Sequence, residues 1–354
     1  MSTTTHTTGH TTGHTTGHAI DQAPASRGAQ TAALVLGVTA LLALVVAAFA
    51  WPASQVAPRH LPVVVVGPLD AAFALQQATA HTGPDPLDVT AVESRAAAVA
   101  AIEDREAYAA VVPGPEGTEL LTASAASPAV AQALQQLTAG LAAADPGSPA
   151  PTTTDVVPLP PDDPRGLVFN AGSLPIVLGG LLTGAVVALR VRGGVAQVVT
   201  ALGIAAAGGL AVVAVLQGWL GALEGSTWAN AGVVALGMAA TGLALVGLHR
   251  VLGLPGLGVG AALVLLLGNP LSGVTSAPEL LPGGWSTLGQ LLPPGATGTA
   301  LRSTAFFEGN GAGAPLLVLA CWVLAGAALA LLPRRAPRPE AAPDVVRAEP
   351  VGVR

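Results

Sequence analysis

Histidine recurs every four residues near the start of the chain, as His6, His10, His14 and His18 in a Thr-Thr-Gly-His repeat. Imidazoles at that spacing share one face of a helix and could bind a metal together. Gly and Thr at this density oppose a helix, so residues 1–30 read as a disordered low-complexity tail with adventitious metal affinity at most. His60 and His81 stand far apart, with no nucleophile paired to either, and read as surface residues rather than catalysts. Asp162 and Asp163 in "PPDDPRG" could ligate a cation, although a solvated turn is the simpler reading. All 14 basic residues are arginine, so a P-loop with its lysine is excluded, and neither HExxH nor GxSxG occurs. The single cysteine, Cys321, excludes an intramolecular disulfide. The sequence predicts no enzyme, no catalytic residue, no cofactor and no metal site.

The elements that carry these residues belong to a bilayer. The chain is 51% hydrophobic and only 10% charged, where soluble proteins carry about 25% charged residues. Six apolar runs, 31–51, 167–189, 198–220, 229–248, 252–268 and 314–332, contain no Asp, Glu, Lys or Arg. About 20 such residues span the hydrocarbon core as a helix. "AFA" at 48–50 resembles a signal-peptidase site, but the run is long for a signal peptide and only Arg27 precedes it, which favours an uncleaved anchor. Arg27 lies before the first run, Arg190 and Arg192 after the second, His249 and Arg250 after the fourth, and Arg334, Arg335 and Arg338 after the sixth. With alternating helices all fall on one side, which the positive-inside rule makes cytoplasmic. The expectation is a polytopic α-helical membrane protein with six transmembrane helices, in the plasma membrane, both termini cytoplasmic. Residues 333–354 are expected to form a second disordered tail, also cytoplasmic. The net charge of −6 argues against nucleic acid as a partner.

Between the first two helices lies a small extracytoplasmic α/β domain, residues 52–165, with thirteen acidic residues against four arginines. "LPVVVVGP", "LDVTAVES", "AAVVPGP", "TELLTAS" and "TTDVVPLP" read as strands. "LDAAFALQQATA" and "RAAAVAAIEDREAY" read as helices, the second capped by Ser94. Ser127 caps a third helix with Pro128 at its first position, and Val130, Leu134, Leu137 and Leu141 form its apolar stripe. In "AIEDREAYAAVVPGP", Val111 and Val112 are expected buried, and Glu103, Asp104, Arg105 and Glu106 solvated. The domain is expected to fold alone. Residues 166–332 make a five-helix membrane domain with an external loop at about 269–313, where "SAPELL" and "STLGQLL" read as short helical turns with Trp285 at headgroup depth. Gln217 and Asn230 lie near outer helix ends, and the lack of ionisable groups at depth argues against a proton-driven carrier. Gly180 and Gly184 form GxxxG, which permits close approach within the chain or across a dimer.

One helix, an external α/β domain and five further helices resemble a branch of the type-2 ABC exporter permeases, the phage-infection-protein-like proteins. The likeness is carried by "AIEDREAYAAVVPGPEGTELLTASAASPAVAQAL" and by "LLPPGATGTALRSTAFFEG" before the last helix. It implies a membrane permease subunit that forms a homodimer in the lipid bilayer and is driven by a separate P-loop ATPase. The chain departs from that pattern in having a Thr/Gly/His tail where an amphipathic elbow helix is usual. "RVRGGVAQ" replaces a coupling helix. The other reading is a non-transporting membrane protein whose external domain binds an envelope or secretion partner.

Overall fold

The computed structural model describes residues 27–80, 85–115, 117–144 and 149–333. The histidine repeat, His81 and Arg334, Arg335 and Arg338 lie outside the described residues. Two units divide the chain, one ending at Val46 and one beginning at Ala47. Helix α1, Arg27–Ser54, starts at Arg27 rather than Thr31, so the last residues assigned to the tail are helical.

Five strands, β1 (Leu61–Val66), β2 (Leu87–Val92), β3 (Ala109–Gly114), β4 (Gly117–Thr122) and β5 (Thr152–Asp155), form one sheet in the order β2-β1-β3-β4-β5. β1 pairs parallel with β2 and β3, β3 pairs antiparallel with β4, and β5 pairs parallel with β4. Helices α2 (Leu69–Thr79), α3 (Arg95–Glu103) and α4 (Pro128–Ala144) make the crossovers. From β1 the chain steps one way to β2 and then back past β1 to β3, so right-handed crossovers place α2 and α3 on opposite faces. The period-2 alternation of the strands follows suit. Val64, Ala110 and Leu121 pack with Ala98 and Ile102 of α3, while Leu61, Val63, Ala109 and Leu120 pack with Val130 and Leu134 of α4. Ser94 and Ser127 cap α3 and α4 as expected, accepting from the amides of Ala97 and Val130. Helix α3 stops early because Arg105 adopts φ 61°, a left-handed conformation that ends a helix. Ala109 and Ala110, not Val111 and Val112, are the fully buried pair of β3.

Among the described residues five helices are long and apolar enough to cross a membrane. They are α1, α5 (Leu167–Arg190), α6 (Gly194–Val213, prolonged by a π turn to Trp219), α7 (Thr227–Leu252) and α11 (Gly313–Leu331). The run at 252–268 is shorter, a helix α8 (Leu254–Ala262) prolonged by a π turn, Leu263–Gly268, and a short helix α9 (Trp285–Gln290) follows it. α7 is the axis of the bundle. Side chains would collide where the other helices touch it: a methyl added at Gly184 of α5 would meet Gly242 O at 2.7 Å, and one at Gly326 of α11 would meet the Leu243 carbonyl carbon at 2.5 Å. Gly209 of α6 lies equally close to Ala231 and Ala235. Gly180 and Gly184 are thus spent on α7 of the same chain.

The α/β domain and the bundle share their cores. Phe307, after the bundle helix α10 (Pro293–Phe306), completes the α3 side of the sheet, and Ala277 and Leu280 complete the α4 side. The sheet segment therefore leans on the membrane half, which qualifies the expectation that it folds alone.

At the sheet's far edge, Arg95 donates from Nε and Nη2 to both Glu119 oxygens at 2.9 Å, and Thr154 donates to the same carboxylate at 2.8 Å. The Arg95 guanidinium, then the Thr154 hydroxyl, hold the Glu119 carboxyl at about 2 against an ordinary 4.5. A folded pKa below the unfolded one adds stability that is present above pH 4.5 and lost as pH falls through about 2. Glu119→Gln should flatten the acid limb of the thermal unfolding midpoint between those pH values, measured in detergent. An unchanged acid limb would rule the pair out as its source.

Candidate functional site

α8 and α10 are half-helices that meet inside the bundle. α8 runs antiparallel to α7 from the end that carries Arg190, His249 and Arg250, with Gly256 against Leu248 and Gly260 against Leu245 and Leu248. Its π turn brings Gly268 against Pro294, in the first turn of α10. From there α10 climbs beside α7 in the opposite sense. Ala296 packs on Ala240, Gly237 leaves room for the Thr297 side chain, and Thr304 donates to Asn230 Oδ1 at 2.8 Å. At 1.5 Å per residue, the 14 residues of α10 cover about 21 Å. Its first turn therefore lies about halfway down α7.

Helix ends buried in an apolar bundle need local partners for their backbone groups. Thr297 Oγ1 donates to Pro293 O at 2.6 Å, and Trp322 Nε1 of α11 donates to Leu291 O at 2.8 Å, fixing the start of α10. Pro293 and Pro294 begin the helix and have no N–H to leave unpaired. On the α8 side, Asn269 donates its backbone N–H to Val264 O, and Ser272 Oγ donates to Asn269 O. A cavity remains at the break, with about 20 Å³ for the centre of a water-sized species. Phe169, Ser173, Val274, Asn269, Pro294 and Thr297 are among its walls. On the other side of Pro293 an apolar groove of about 230 Å³ runs between α7, α8 and α11.

Between its two ends the broken segment visits the α/β domain. The backbone N–H groups of Ala57 and Arg59 donate to Leu280 O and Glu279 O at 3.1 Å, and the Tyr108 hydroxyl donates to Glu279 Oε2 at 2.6 Å. Arg105 donates from Nη1 to Thr299 O at 3.1 Å and to Ser303 Oγ at 2.7 Å on α10, with its guanidinium over the Phe307 ring. Burial lowers the Arg105 guanidinium from its ordinary value, and burial followed by Glu279 raises the Tyr108 phenol. From sequence alone Arg105 is expected in solvent with its three acidic neighbours. Glu103, Asp104 and Glu106 are exposed, but Arg105 is half-buried at this junction. Sequence offered only a weak sign of it, a lone cation among carboxylates. Arg302 lies deeper still, 6% exposed, with its guanidinium over Phe169 and Nη2 donating to Val274 O at 3.0 Å.

The residues singled out by sequence are scattered. His60 is exposed with φ 50°, and His81 falls outside the described residues. Asp162 is exposed, but Asp163 is buried, and its Oδ2 accepts from the Phe169 N–H at 2.9 Å, capping α5 rather than facing solvent. Among the described residues no three His, Cys, Asp or Glu side chains come together as a metal site would need. Asn230 is fully buried, and its Nδ2 donates to Gln217 Oε1 and Glu224 O, so the two polar residues of the outer helix ends form one network with Thr304. Trp219 and Trp228 are exposed at the domain end of the bundle, and Trp51 stacks edge-on with Trp285 there at 5.5 Å. Such tryptophans mark a membrane–water boundary.

Fold and break together define a helical membrane protein with apolar spanning helices, a broken helical segment and a small α/β domain tied to it. Compared with the known protein families, the curated proteins and the solved structures, the chain matches none.

Tyr108→Phe should lower the stability of the purified protein by about 2 kcal/mol, because a hydrogen bond to a carboxylate is lost at a half-buried junction. Denaturant unfolding in detergent measures it, and a loss below about 0.5 kcal/mol would mean that Glu279 is held by its other neighbours.

Proposed function

We propose that the chain is the membrane subunit of an exporter of the type-2 ABC permease kind, with both termini cytoplasmic and the α/β domain outside. The observation that carries this reading is the helix break at mid-bundle, where Gly268 meets Pro294. Broken helices whose ends meet at the bilayer midplane are how many carriers build a binding site that can open to either side. α8 and the return through Glu279 to α10 supply the missing crossing, so that six passages put Arg190 and Arg250 on the cytoplasmic side and the tryptophans outside. Energy comes from a separate ATPase on the cytoplasmic face. Arg190 and Arg192, at the three-residue turn between α5 and α6, anchor the helix end and set its orientation, and theirs is the short segment open to that ATPase.

The alternative, an external domain that binds an envelope or secretion partner, is favoured by one observation. A cleft of about 550 Å³ opens between domain and bundle, and Glu103, Asp104, Glu224, Glu308, Phe306 and Leu159 are among its walls.

Cysteine introduced as Thr118→Cys in a Cys321→Ala background should label in intact cells with an impermeant maleimide, and Gly193→Cys should not. The reverse pattern would sink the orientation. Affinity purification in mild detergent should bring down a P-loop ATPase, and Arg190→Gln with Arg192→Gln should release it while the labelling pattern holds. Repeated purification without any ATPase would leave the partner-binding reading in its place.

A further inference from the structure

The cleft between the α/β domain and the bundle, about 550 Å³ in volume, is of the size of small-molecule sites, which favour such junctions. The end of α3 and the stretch after β5 wall it on one side, and turns of the bundle at Glu224 and after α10 on the other. Asn310 Nδ2 donates to Glu103 O at 3.2 Å and to Asp104 Oδ1 at 3.0 Å, which ties the α3 wall to the bundle wall. The surface is of two kinds. Phe306 and Leu159, both partly buried, are apolar walls. Glu103, Asp104, Glu224 and Glu308 are exposed around them, and no arginine or histidine is among the walls. Among the described residues the sole ion pair is Arg95–Glu119, at the sheet's far edge, so none of the four carboxylates is paired with a cation. The nearby Arg105 guanidinium is engaged elsewhere, over Phe307 and with Thr299 O and Ser303 Oγ of α10. Carboxylates of one sign beside a low-dielectric wall focus their field into the cleft and concentrate cations there. Glu308 is held at φ 54°, a left-handed conformation in which glycine would be less strained.

We infer that this cleft binds a small organic cation with an apolar body, its charge held by the carboxylates and its body laid against Phe306 and Leu159. The walls select that class. A bare metal ion needs several oxygen ligands within reach of one point. Among the described residues no three acidic, histidine or cysteine side chains gather so closely. A metal ion would also make no use of the apolar walls. A neutral apolar molecule would leave the carboxylates facing one another uncompensated, whereas a cation with an aromatic or aliphatic body satisfies both kinds of surface. The ring of Phe306 adds the attraction of an aromatic face for a cation. The inference rests on neither reading of the chain's role, because the cleft has the same walls under both. It assigns to a small molecule the space that a protein partner would otherwise take.

Benzyltrimethylammonium is the probe, because it joins a permanent positive charge to one aromatic ring. The purified full-length protein in detergent is titrated with its chloride, replacing sodium chloride at constant ionic strength, while the thermal unfolding midpoint is followed. The wild type should show a saturable rise, as a ligand that binds the folded state requires. Tetramethylammonium, which has the charge without the ring, and benzyl alcohol, which has the ring without the charge, should give none at the same concentrations. Glu224→Gln combined with Glu308→Gln changes only exposed side chains and should raise the half-saturating concentration about tenfold. Raising the ionic strength should weaken binding to the wild type and narrow that gap. A wild type that does not respond overturns the site and leaves the cleft to a protein partner. An equal response from the double variant, or to either control compound, overturns it as well. The carrier role is judged separately: saturable binding without any ATPase partner keeps the site and removes that role, and an ATPase partner without binding does the opposite.

Discussion

A helix end buried away from water must find partners for its backbone within the protein, and this requirement organises the middle of the molecule. Unspanned length is expensive in hydrocarbon, since each unpaired amide or carbonyl there costs several kcal/mol. The chain nevertheless stops α8 and starts α10 inside the bundle. It meets the requirement with prolines that have no N–H, a threonine that returns its hydroxyl to Pro293, a tryptophan from α11 and a π turn that lets Asn269 reach Val264. So many local devices at one level are hard to explain as defects of folding. They hold open a discontinuity.

The close approach of every neighbour to α7 follows from the same demand. A half-helix has less surface to bury than a full span, so its contacts must be tight. α10 achieves this with Gly, Ala and Thr rather than with large apolar side chains, as at Gly237 against Thr297 and Ala240 against Ala296. Within a membrane, van der Waals contact and interhelical hydrogen bonds replace the hydrophobic effect as the source of association, and small residues maximise the first. Asn230 supplies the second, joined to α6 through Gln217 and to α10 through Thr304.

This economy is why the sequence showed some parts and hid others. The long apolar helices, the sheet and the serine caps at Ser94 and Ser127 were legible, because apolar runs, period-2 alternation and capping residues are local signals. α10 was not. "PPGATGTALRSTAF" opens with two prolines and a glycine, has no apolar stripe and holds an arginine, so it reads as part of an external loop. Its burial comes from close packing against α7, a tertiary property that composition does not encode. Arg105 was misplaced for a related reason: its three acidic neighbours are exposed, and only the positive φ that turns it away from them brings it to Ser303. The run at 252–268 had the composition of a span but only the length of half of one, and the missing half lay 25 residues further on, behind a visit to the α/β domain.

That detour ties the α/β domain to the middle of the bundle. The segment between the two half-helices is fastened to the domain at Glu279 and Leu280, and the outer part of α10 is fastened again by Arg105 at Thr299 and Ser303. An α-helix is stiff over the length of α10, so a displacement of Ser303 carries Thr297 and Pro294 with it. A domain fixed only by a flexible linker could bind outside the membrane without consequence inside it. One fixed to both ends of the broken segment shares its seat with α10, whose first turn walls the cavity at the break.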